Sequence, residues 1–207
     1  MAQQLADRRD IDFVIWEQMN GEDLLTYDLY RDFNKKTCDM IINEARNLAV
    51  KELLPTLQEG DRQEVRFENG QVRVPDSFHR VHKLLLEGEW GSLAPPSEMG
   101  GQGVPGLVVS AASEYFMGGN WALYSYTTMG NGTADMIHKY GTEEQKKAYV
   151  ENLVSGKWGG TMLLTEPEAG SDVGALTTSA VRNDDGTYSL TGNKIFITNG
   201  EHDLCEN

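Results

Sequence analysis

The pattern of apolar and polar positions divides the chain into a helical part and a β part. In the helical part, apolar residues recur at helical spacing and predict one buried face of a long helix. These residues are Cys38, Ile41, Ile42, Ala45, Leu48, Ala49 and Leu53. We expect this helix to end near Leu54, because the proline at position 55 restricts the backbone of the residue before it.

A second amphipathic helix is predicted after residue 75. Asp76 or Ser77 can cap its start. Its apolar face is formed by Phe78, Val81, Leu84 and Leu85. A third helix is expected to begin at Thr142, where Gln145 completes a capping box, and to run to Val154.

Residues 107–129 are small, apolar or aromatic, and Glu114 is the only charged residue among them. Such a segment predicts a helix that is buried on most sides. We expect Gly118 and Gly119 to split it in two, since glycine weakens a helix interior. We therefore expect residues 1–158 to be mostly helix.

The β part begins near Gly159 or Gly160. The apolar segment 162–164 predicts a short strand, and the alternation of residues 190–199 predicts another. Between them, residues 184–186 (Asp-Asp-Gly) predict a hairpin turn joining Val181 to Tyr188. The pattern offers about four short strands, so residues 160–200 are expected to be mostly antiparallel strand.

Composition excludes several classes of function. The 207 residues include 18 Lys and Arg against 32 Asp and Glu, for a net charge of −14. This charge argues against nucleic acid as a partner, because such binding needs a basic surface. Cys38 and Cys205 lack metal-ligand spacing, so neither a zinc site nor any other metal site is expected. No signal-length apolar run and no segment of ~20 apolar residues occurs, which favours a soluble cytoplasmic protein without a transmembrane segment.

Two segments are the strongest candidates for chemistry. The first is an apolar run that leads into the turn Thr165-Glu166-Pro167-Glu168-Ala169-Gly170-Ser171-Asp172. The second is Lys194-Ile195-Phe196-Ile197-Thr198-Asn199-Gly200. Each exposes hydroxyls and backbone N–H groups just past a predicted strand, where ligands commonly bind. Taken alone, each pattern also fits a plain loop or hairpin.

Taken together, the two segments resemble the signature of the flavin-dependent acyl-CoA dehydrogenase family. That signature is Thr-Glu-Pro-x-Ala-Gly-Ser-Asp, followed by an aromatic-Ile-Thr-Asn-Gly strand. Residues 140–147 resemble the family's Gly-x-x-x-Gln-Lys helix start, and residues 95–103 resemble its Pro-x-x-x-Gly-Gly-x-Gly loop. The resemblance covers residues 80–207. The first 70 residues, notably 10–18, resemble the N-terminal extension of the larger members.

The resemblance implies a mainly α fold with a partial β domain. Residues 1–158 would form the N-terminal helical domain and residues 159–207 the beginning of the middle β domain. The C-terminal four-helix domain would be absent. The implied reaction is α,β-dehydrogenation of an acyl-CoA thioester by FAD, with electrons passed to an electron-transferring flavoprotein. The complete enzyme would be a homodimer or homotetramer.

No residue of this chain is assigned as catalytic. The family's base is a glutamate, which is expected beyond Asn207. Glu166 belongs to the family turn itself and Glu168 to a variable position, so neither is assigned as the base. A base must lie within hydrogen-bond reach of the proton that it removes. The 207-residue chain is therefore expected to be inactive by itself.

The resemblance also implies ligand contacts. The residues matching flavin contacts are Met162, Leu164, Thr165, Phe196 and Thr198. The Leu164 N–H and the Thr165 hydroxyl match contacts to the pyrimidine side of the ring, and Thr198 matches a contact near N5. Phe196 stands in place of the usual tryptophan, so it keeps an aromatic face but lacks the indole N–H. Met162 stands where many members carry an aromatic residue.

Substrate contacts are implied in two places. Ser171 matches the serine that contacts the pantetheine arm of CoA. The candidates for the acyl pocket are Met99, Tyr124, Ser125, Thr128 and Met129. Each of these five also fits an ordinary core position. No partner pattern suggests catalysis by a histidine, of which the chain has His79, His82, His138 and His202.

Two alternatives remain open at the level of sequence. The same scaffold serves acyl-CoA oxidases, nitroalkane oxidases and flavin monooxygenases. The chain could also be a non-catalytic helical interaction module. The intact Thr165, Ser171 and Thr198 favour the flavoenzyme over the module, because a module would have no reason to keep flavin and CoA contacts.

Overall fold

The computed structural model describes residues 5–206. Contacts within the chain separate a helical unit, residues 5–160 and 201–206, from a second unit, residues 161–200. The predicted domain limits Met1 and Asn207 lie outside the described residues. The division between the units falls between Gly160 and Thr161.

The helical unit is built mainly from α-helices with one short hairpin. The helices are α1 (Arg8–Asp12), α2 (Gly21–Leu24), α3 (Lys35–Leu48), α4 (Leu54–Arg62), α5 (Asp76–Glu87), α6 (Gly106–Thr128), α7 (Gly130–Tyr140) and α8 (Glu143–Val154). The segments Phe13–Gln18 and Ala49–Leu53 are π-helical. Single 3₁₀ turns occur at Asp28–Tyr30 and Ser97–Met99.

The core of this unit lies where α3, the π turn Ala49–Leu53 and α5 pack against α6. The predicted apolar face is confirmed by five side chains that are fully buried, namely Cys38, Ile42, Ala45, Ala49 and Leu53. On α6, Tyr115, Phe116 and Leu123 are fully buried, whereas Met117 and Trp121 are exposed. Burial of α6 on most sides is therefore only partly correct.

The predicted helix end near Leu54 is wrong. The chain passes from α3 through the π turn directly into α4, which carries Pro55 in its first turn. Proline is tolerated there because an N–H group in the first turn has no intrahelical partner. The Leu54 N–H donates to the carbonyl of Ala49, five residues back, which marks the change of hydrogen-bond pattern.

Neither Asp76 nor Ser77 caps α5, contrary to the sequence prediction. Among the described residues no side chain forms a cap hydrogen bond at this start, and Pro75 has an extended backbone conformation. The Phe78 N–H instead donates to the carbonyl of Pro75 at 2.9 Å. The predicted apolar face of α5 is confirmed, with Phe78, Val81 and Leu85 buried and Leu84 half-buried.

A short antiparallel hairpin interrupts the helices, in a stretch for which only helix was expected. Strands β1 (Arg66–Glu68) and β2 (Gln71–Arg73) pair with Phe67 opposite Val72. Asn69 and Gly70 form the turn with φ of 53° and 78°. Two consecutive left-handed residues are what a two-residue hairpin turn requires, so the Asn-Gly pair was the available signal.

Helix α6 is kinked at Asn120, one residue after the predicted split. Asn120 has φ −165° and ψ 94°, which is extended rather than helical backbone. Its side-chain oxygen accepts from the Leu123 N–H at 3.1 Å, so it acts as an N-cap for the second half of the helix. Its amide nitrogen donates to the Thr56 hydroxyl at 2.9 Å, which ties the kink to α4.

We expect Asn120→Ala to lower the free energy of unfolding by about 2 kcal/mol, because it removes a buried cap and its bond to Thr56. Denaturant unfolding followed by far-UV circular dichroism measures the loss. The control is Asn152→Ala on α8, where the side chain donates to the Ala148 carbonyl at the surface. That variant is expected to change stability by less than about 0.5 kcal/mol. Equal losses from both variants would contradict the capping role of Asn120.

The predicted capping box at the start of α8 is confirmed. The Thr142 hydroxyl accepts from the Gln145 N–H at 3.3 Å, and the Gln145 side chain accepts from the Thr142 N–H at 2.8 Å. A smaller core cluster lies beside this helix. It comprises Met99, Ala134, Val150, Leu153 and Val154.

The second unit contains the predicted hairpin, formed by β3 (Ser179–Arg182) and β4 (Tyr188–Thr191). Arg182 pairs with Tyr188 across the turn, and every residue of the two strands is exposed. The 3₁₀ turn Val173–Ala175 precedes it. The hairpin turn at residues 184–186 is therefore confirmed.

The expectation that residues 160–200 are mostly strand is wrong. Within the described residues this unit has two strands rather than four, and neither 162–164 nor 192–199 is strand. The chain leaves the ladder after Thr191, and the Ile195 N–H then donates to the carbonyl of Thr165 at 2.9 Å. The segment after the hairpin thus pairs with a turn, and its alternating side chains do not line a sheet.

Candidate functional site

The turn at residues 165–172 is closed by its own backbone. Glu166 and Ala169 exchange two hydrogen bonds, of 3.0 and 3.1 Å. Farther along, the Asp172 carboxylate accepts from the Gly174 N–H at 3.2 Å. These bonds give the turn a fixed shape, with Ala169 buried and Ser171 exposed.

Glu166 anchors this turn from inside. Its side chain is only 4% exposed. Both carboxylate oxygens accept from the 177–178 segment. Oε2 takes the Thr177 N–H and hydroxyl at 2.7 and 2.8 Å, and Oε1 takes those of Thr178 at 2.9 and 2.5 Å. Lys194 adds an ion pair to Oε1 at 2.9 Å.

This set of donors, led by Lys194 and followed by Thr178 and Thr177, holds the pKa of Glu166 well below its usual range. A carboxylate with so low a pKa is a poor proton acceptor near neutral pH. The structure therefore gives a physical reason not to assign Glu166 as a catalytic base.

The two motifs meet at Lys194 and Ile195. Besides its ion pair, Lys194 Nζ donates to the carbonyl of Leu164 at 2.9 Å. The Ile195 N–H donates to the carbonyl of Thr165. Leu164 and Thr165 of the first motif are therefore fixed beside the start of the second, which continues into Phe196 and Thr198.

Large apolar side chains stand exposed on both motifs. Met162 is 68% and Phe196 86% exposed, and Leu163 and Leu164 are also exposed. Phe196 has φ of 57°, a left-handed conformation that is unfavourable for a bulky residue. Residues held in such conformations cluster at functional sites.

The polar groups predicted to bind ligand are free. Within residues 5–206 no hydrogen bond involves the hydroxyls of Thr165, Ser171 or Thr198. The backbone N–H of Leu164 likewise has no acceptor in the described part of the chain. The second unit thus brings together free donors and exposed apolar side chains.

The five candidates for the acyl pocket lie in the helical unit. Tyr124 is buried against the Phe116 ring at 4.9 Å, and its hydroxyl lies 3.3 Å from the Ser113 hydroxyl. Burial raises the pKa of Tyr124. Ser125 is buried and donates to the carbonyl of Ala122. Met99 is buried in the smaller core cluster, whereas Thr128 and Met129 are half-buried at the end of α6.

A histidine cluster, defined as His79, His82 and His202, was missed at the level of sequence. His82 on α5 is 3% exposed. Burial, and then the charges of His202 and His79, lower its pKa from 6.5 to about 4. His202 is itself buried, and its ring meets the Tyr126 ring edge-on at 4.9 Å. Burial also lowers the pKa of His202.

Asp203 ties this cluster to the chain before α5. Its carboxylate accepts from the Val74 N–H at 3.1 Å and from Arg73 at 3.1 Å, and it lies 3.4 Å from Nε2 of His79. These partners lower the pKa of Asp203. No sequence signal connects residues so far apart, so only the folded chain reveals the cluster.

Comparison with known proteins assigns the chain to a family. Residues 35–157 match the model of the acyl-CoA dehydrogenase N-terminal domain, and residues 161–205 match that of the acyl-CoA dehydrogenase middle domain. The chain therefore belongs to the acyl-CoA dehydrogenase family, a family of oxidoreductases. None of the helices in residues 5–206 has the length and apolar character needed to cross a membrane.

Individual relatives agree with this assignment. The chain is 35% identical over 199 residues to the 3-methylmercaptopropionyl-CoA dehydrogenase of Ruegeria pomeroyi, covering 96% of this chain and 34% of that protein. It is 37% identical over 202 residues to the broad-specificity linear acyl-CoA dehydrogenase FadE5 of Mycobacterium tuberculosis, covering 96% of this chain and 33% of that protein. The chain thus spans about a third of the length of these curated relatives.

A solved structure gives the same result. The acyl-CoA dehydrogenase of Bacillus anthracis, complexed with FAD, superposes with a TM-score of 0.64 at 30% identity. The superposition covers 82% of this chain and 27% of that chain.

Proposed function

We propose that this chain forms part of an FAD-dependent acyl-CoA dehydrogenase that oxidises the α,β bond of an acyl-CoA thioester. One observation carries the proposal: Lys194 and Ile195 bond to Leu164 and Thr165, so that the two motifs implied to contact flavin lie side by side. A flavin needs hydrogen bonds at its polar edge and apolar contact on its face, and this pair of motifs offers both.

The residues present fit a flavin. The free Thr165 and Thr198 hydroxyls and the Leu164 N–H would bind the polar edge of the ring. The exposed Met162 and Phe196 would pack on it. FAD, when bound, accepts the hydride from the β-carbon of the substrate. Binding would also bury apolar side chains that are otherwise left in water, which favours association.

The thioester would be held by other residues. Ser171 is exposed with a free hydroxyl, which suits a contact to the pantetheine arm of CoA. Met99, Tyr124, Ser125, Thr128 and Met129 stay proposed as acyl-pocket residues. We further propose that electrons leave to an electron-transferring flavoprotein and that the enzyme is a cytoplasmic homodimer or homotetramer. The base is proposed to lie outside this chain.

The reaction is tested with the protein expressed from its complete coding sequence. Under anaerobic conditions, an acyl-CoA should bleach the bound flavin, and an electron-transferring flavoprotein should restore its colour faster than oxygen does. Faster recovery with oxygen would indicate an oxidase instead. Failure of every acyl-CoA in a panel of short, long and branched chains to bleach the flavin would refute the proposed reaction.

Replacing the two flavin-facing hydroxyls should weaken FAD binding. We expect Thr165→Val and Thr198→Val each to raise the Kd for FAD severalfold, up to roughly tenfold, because each loses one hydrogen bond to the ring. The double variant should bind more weakly than either, as measured by equilibrium dialysis and by the visible flavin spectrum. Thr191→Val, on the exposed strand β4, is the control and should leave the Kd unchanged. Unchanged FAD retention in the double variant would contradict both assignments.

Replacing the proposed pantetheine contact should affect binding more than chemistry. We expect Ser171→Ala to raise KM severalfold while kcat changes less than about twofold, because the contact lies far from the bond that breaks. Steady-state kinetics with one acyl-CoA measures both constants, and Ser179→Ala on the exposed strand β3 is the matched control. A fall in kcat with KM unchanged would assign Ser171 to the flavin or to the fold instead.

A further inference from the structure

The ion pair between Glu166 and Lys194 joins segments 28 positions apart in the sequence. Glu166 belongs to the first motif and Lys194 to the start of the second. Three segments meet at this pair, because the Glu166 carboxylate accepts five hydrogen bonds from Thr177, Thr178 and Lys194. Neither side chain is proposed to contact a ligand. The Glu166 carboxylate is buried, and the Lys194 ammonium group already bonds Glu166 and the Leu164 carbonyl.

We propose that Glu166 and Lys194 are positioning residues that set the spacing between the Thr165 and Thr198 hydroxyls, and so the shape of the flavin-binding edge. This inference rests on the proposed function. Lys194 is the mechanical link. Its ammonium group bonds both the carbonyl of Leu164, just before Thr165, and the side-chain carboxylate of Glu166, just after it.

The chemistry of the carboxylate explains why a glutamate is needed here. All five groups around it are donors, and an ionised carboxylate offers only acceptors. The same donors keep its pKa low, so it stays charged over the working pH range. An amide in its place would direct two N–H groups at groups that also donate, and at least one buried donor would lose its acceptor.

The Lys194 side chain offers an independent test of the same idea. Replacing it with methionine keeps most of the length of the side chain but removes both bonds to the first motif. Replacing it with arginine keeps the charge and enough donors to reach Glu166 and Leu164. The pair of variants separates the role of the bridge from the mere presence of a long side chain.

The experiment measures FAD binding by the protein expressed from its complete coding sequence. We expect Glu166→Gln and Lys194→Met each to raise the Kd for FAD roughly tenfold and to broaden the visible flavin band, because both proposed ring contacts move. Lys194→Arg should recover most of the affinity. The matched control is Glu168→Gln, which removes the same charge from an exposed position of the same turn. It should leave the Kd within about twofold of the wild type.

A double-mutant cycle distinguishes positioning from general support of the fold. If Glu166 acts through Thr165, the effects of Glu166→Gln and Thr165→Val on the Kd will be non-additive, since the second change removes a contact that the first has already misplaced. Fully additive effects, or a wild-type Kd and flavin band in Glu166→Gln, would overturn the inference. Should Glu166→Gln fail to fold by circular dichroism, the Lys194→Met and Lys194→Arg pair decides, and equal Kd values for those two would overturn it.

The two proposals fail in different ways. If Thr165→Val and Thr198→Val weaken FAD binding while Glu166→Gln and Lys194→Met do not, the flavin site stands and the positioning role is wrong. If the wild-type protein does not bind FAD, or if neither threonine variant changes the Kd, the flavin site itself is wrong.

Discussion

Gly101→Ala is expected to lower the free energy of unfolding by about 3 kcal/mol, because there is no room for a side chain in the 95–103 loop. A Cβ atom at Gly101 would lie 2.0 Å from the carbonyl oxygen of Pro95. That oxygen is backbone and accepts from the Gly103 N–H at 2.9 Å. The backbone at Gly101 would have to move away from that at Pro95. Met99, a proposed acyl-pocket residue in the same loop, would be displaced as well.

Denaturant unfolding measures this loss, and the chain provides a matched control. Gly132 lies on the exposed side of α7, where an added Cβ would meet no other part of the described chain within 4 Å. Gly132→Ala should therefore stabilise the protein by about 0.5–1 kcal/mol, since alanine favours helix over glycine. A Gly101→Ala variant as stable as the wild type would show that the loop does not require the close contact between Gly101 and the Pro95 carbonyl.

The helical unit is expected to lose about 3 kcal/mol of stability as the pH falls from 6.5 to 4, through His82 alone. The pKa of His82 is about 4 in the folded chain and 6.5 in the unfolded one. The unfolded chain therefore binds more protons across this window, so stability falls with pH until about pH 4 and then stays level with respect to this group. The charges of His202 and His79 oppose a charge on His82.

The measurement is the free energy of unfolding at a series of pH values, compared between the wild type and His82→Gln. The variant removes the titrating group, so the difference between the two curves should shrink as the pH falls from 6.5 to 4. His138→Gln is the control, because His138 lies on α7, outside the histidine cluster, and is half-buried. Parallel curves for the wild type and His82→Gln would show that protonation of His82 does not cause the loss of stability.

The histidine cluster and the Glu166 network differ in their response to acid. The pKa of Glu166 is lowered, so its contribution is complete above the ordinary glutamate value and is lost progressively as the pH falls from there toward the lower folded value. The helical unit should therefore weaken at a higher pH than the second unit. Two separate acid transitions, one in helix content and one in the flavin site, would be the observable result.

Local chemistry was enough to predict several elements. The Thr142–Gln145 capping box, the turn at 184–186 and the apolar face of α3 were all found from sequence, because each depends on residues within a few positions of one another. The order of the two motifs along the sequence was also sufficient to indicate the family, which the matches to both domain models confirm.

Tertiary structure decided what depends on distant partners. Alternation of residues 190–199 predicted a strand, but a strand needs a neighbouring backbone, and the Ile195 N–H pairs with the Thr165 turn instead. The helix continues across Pro55 because this proline falls in the first turn of α4, directly after the π turn. The ion pair between Glu166 and Lys194 joins residues far apart in the sequence. The same is true of His82 and His202, which belong to one cluster. The pattern of apolar residues indicates which face of a segment can be buried. Which distant residues that face then contacts depends on the tertiary structure.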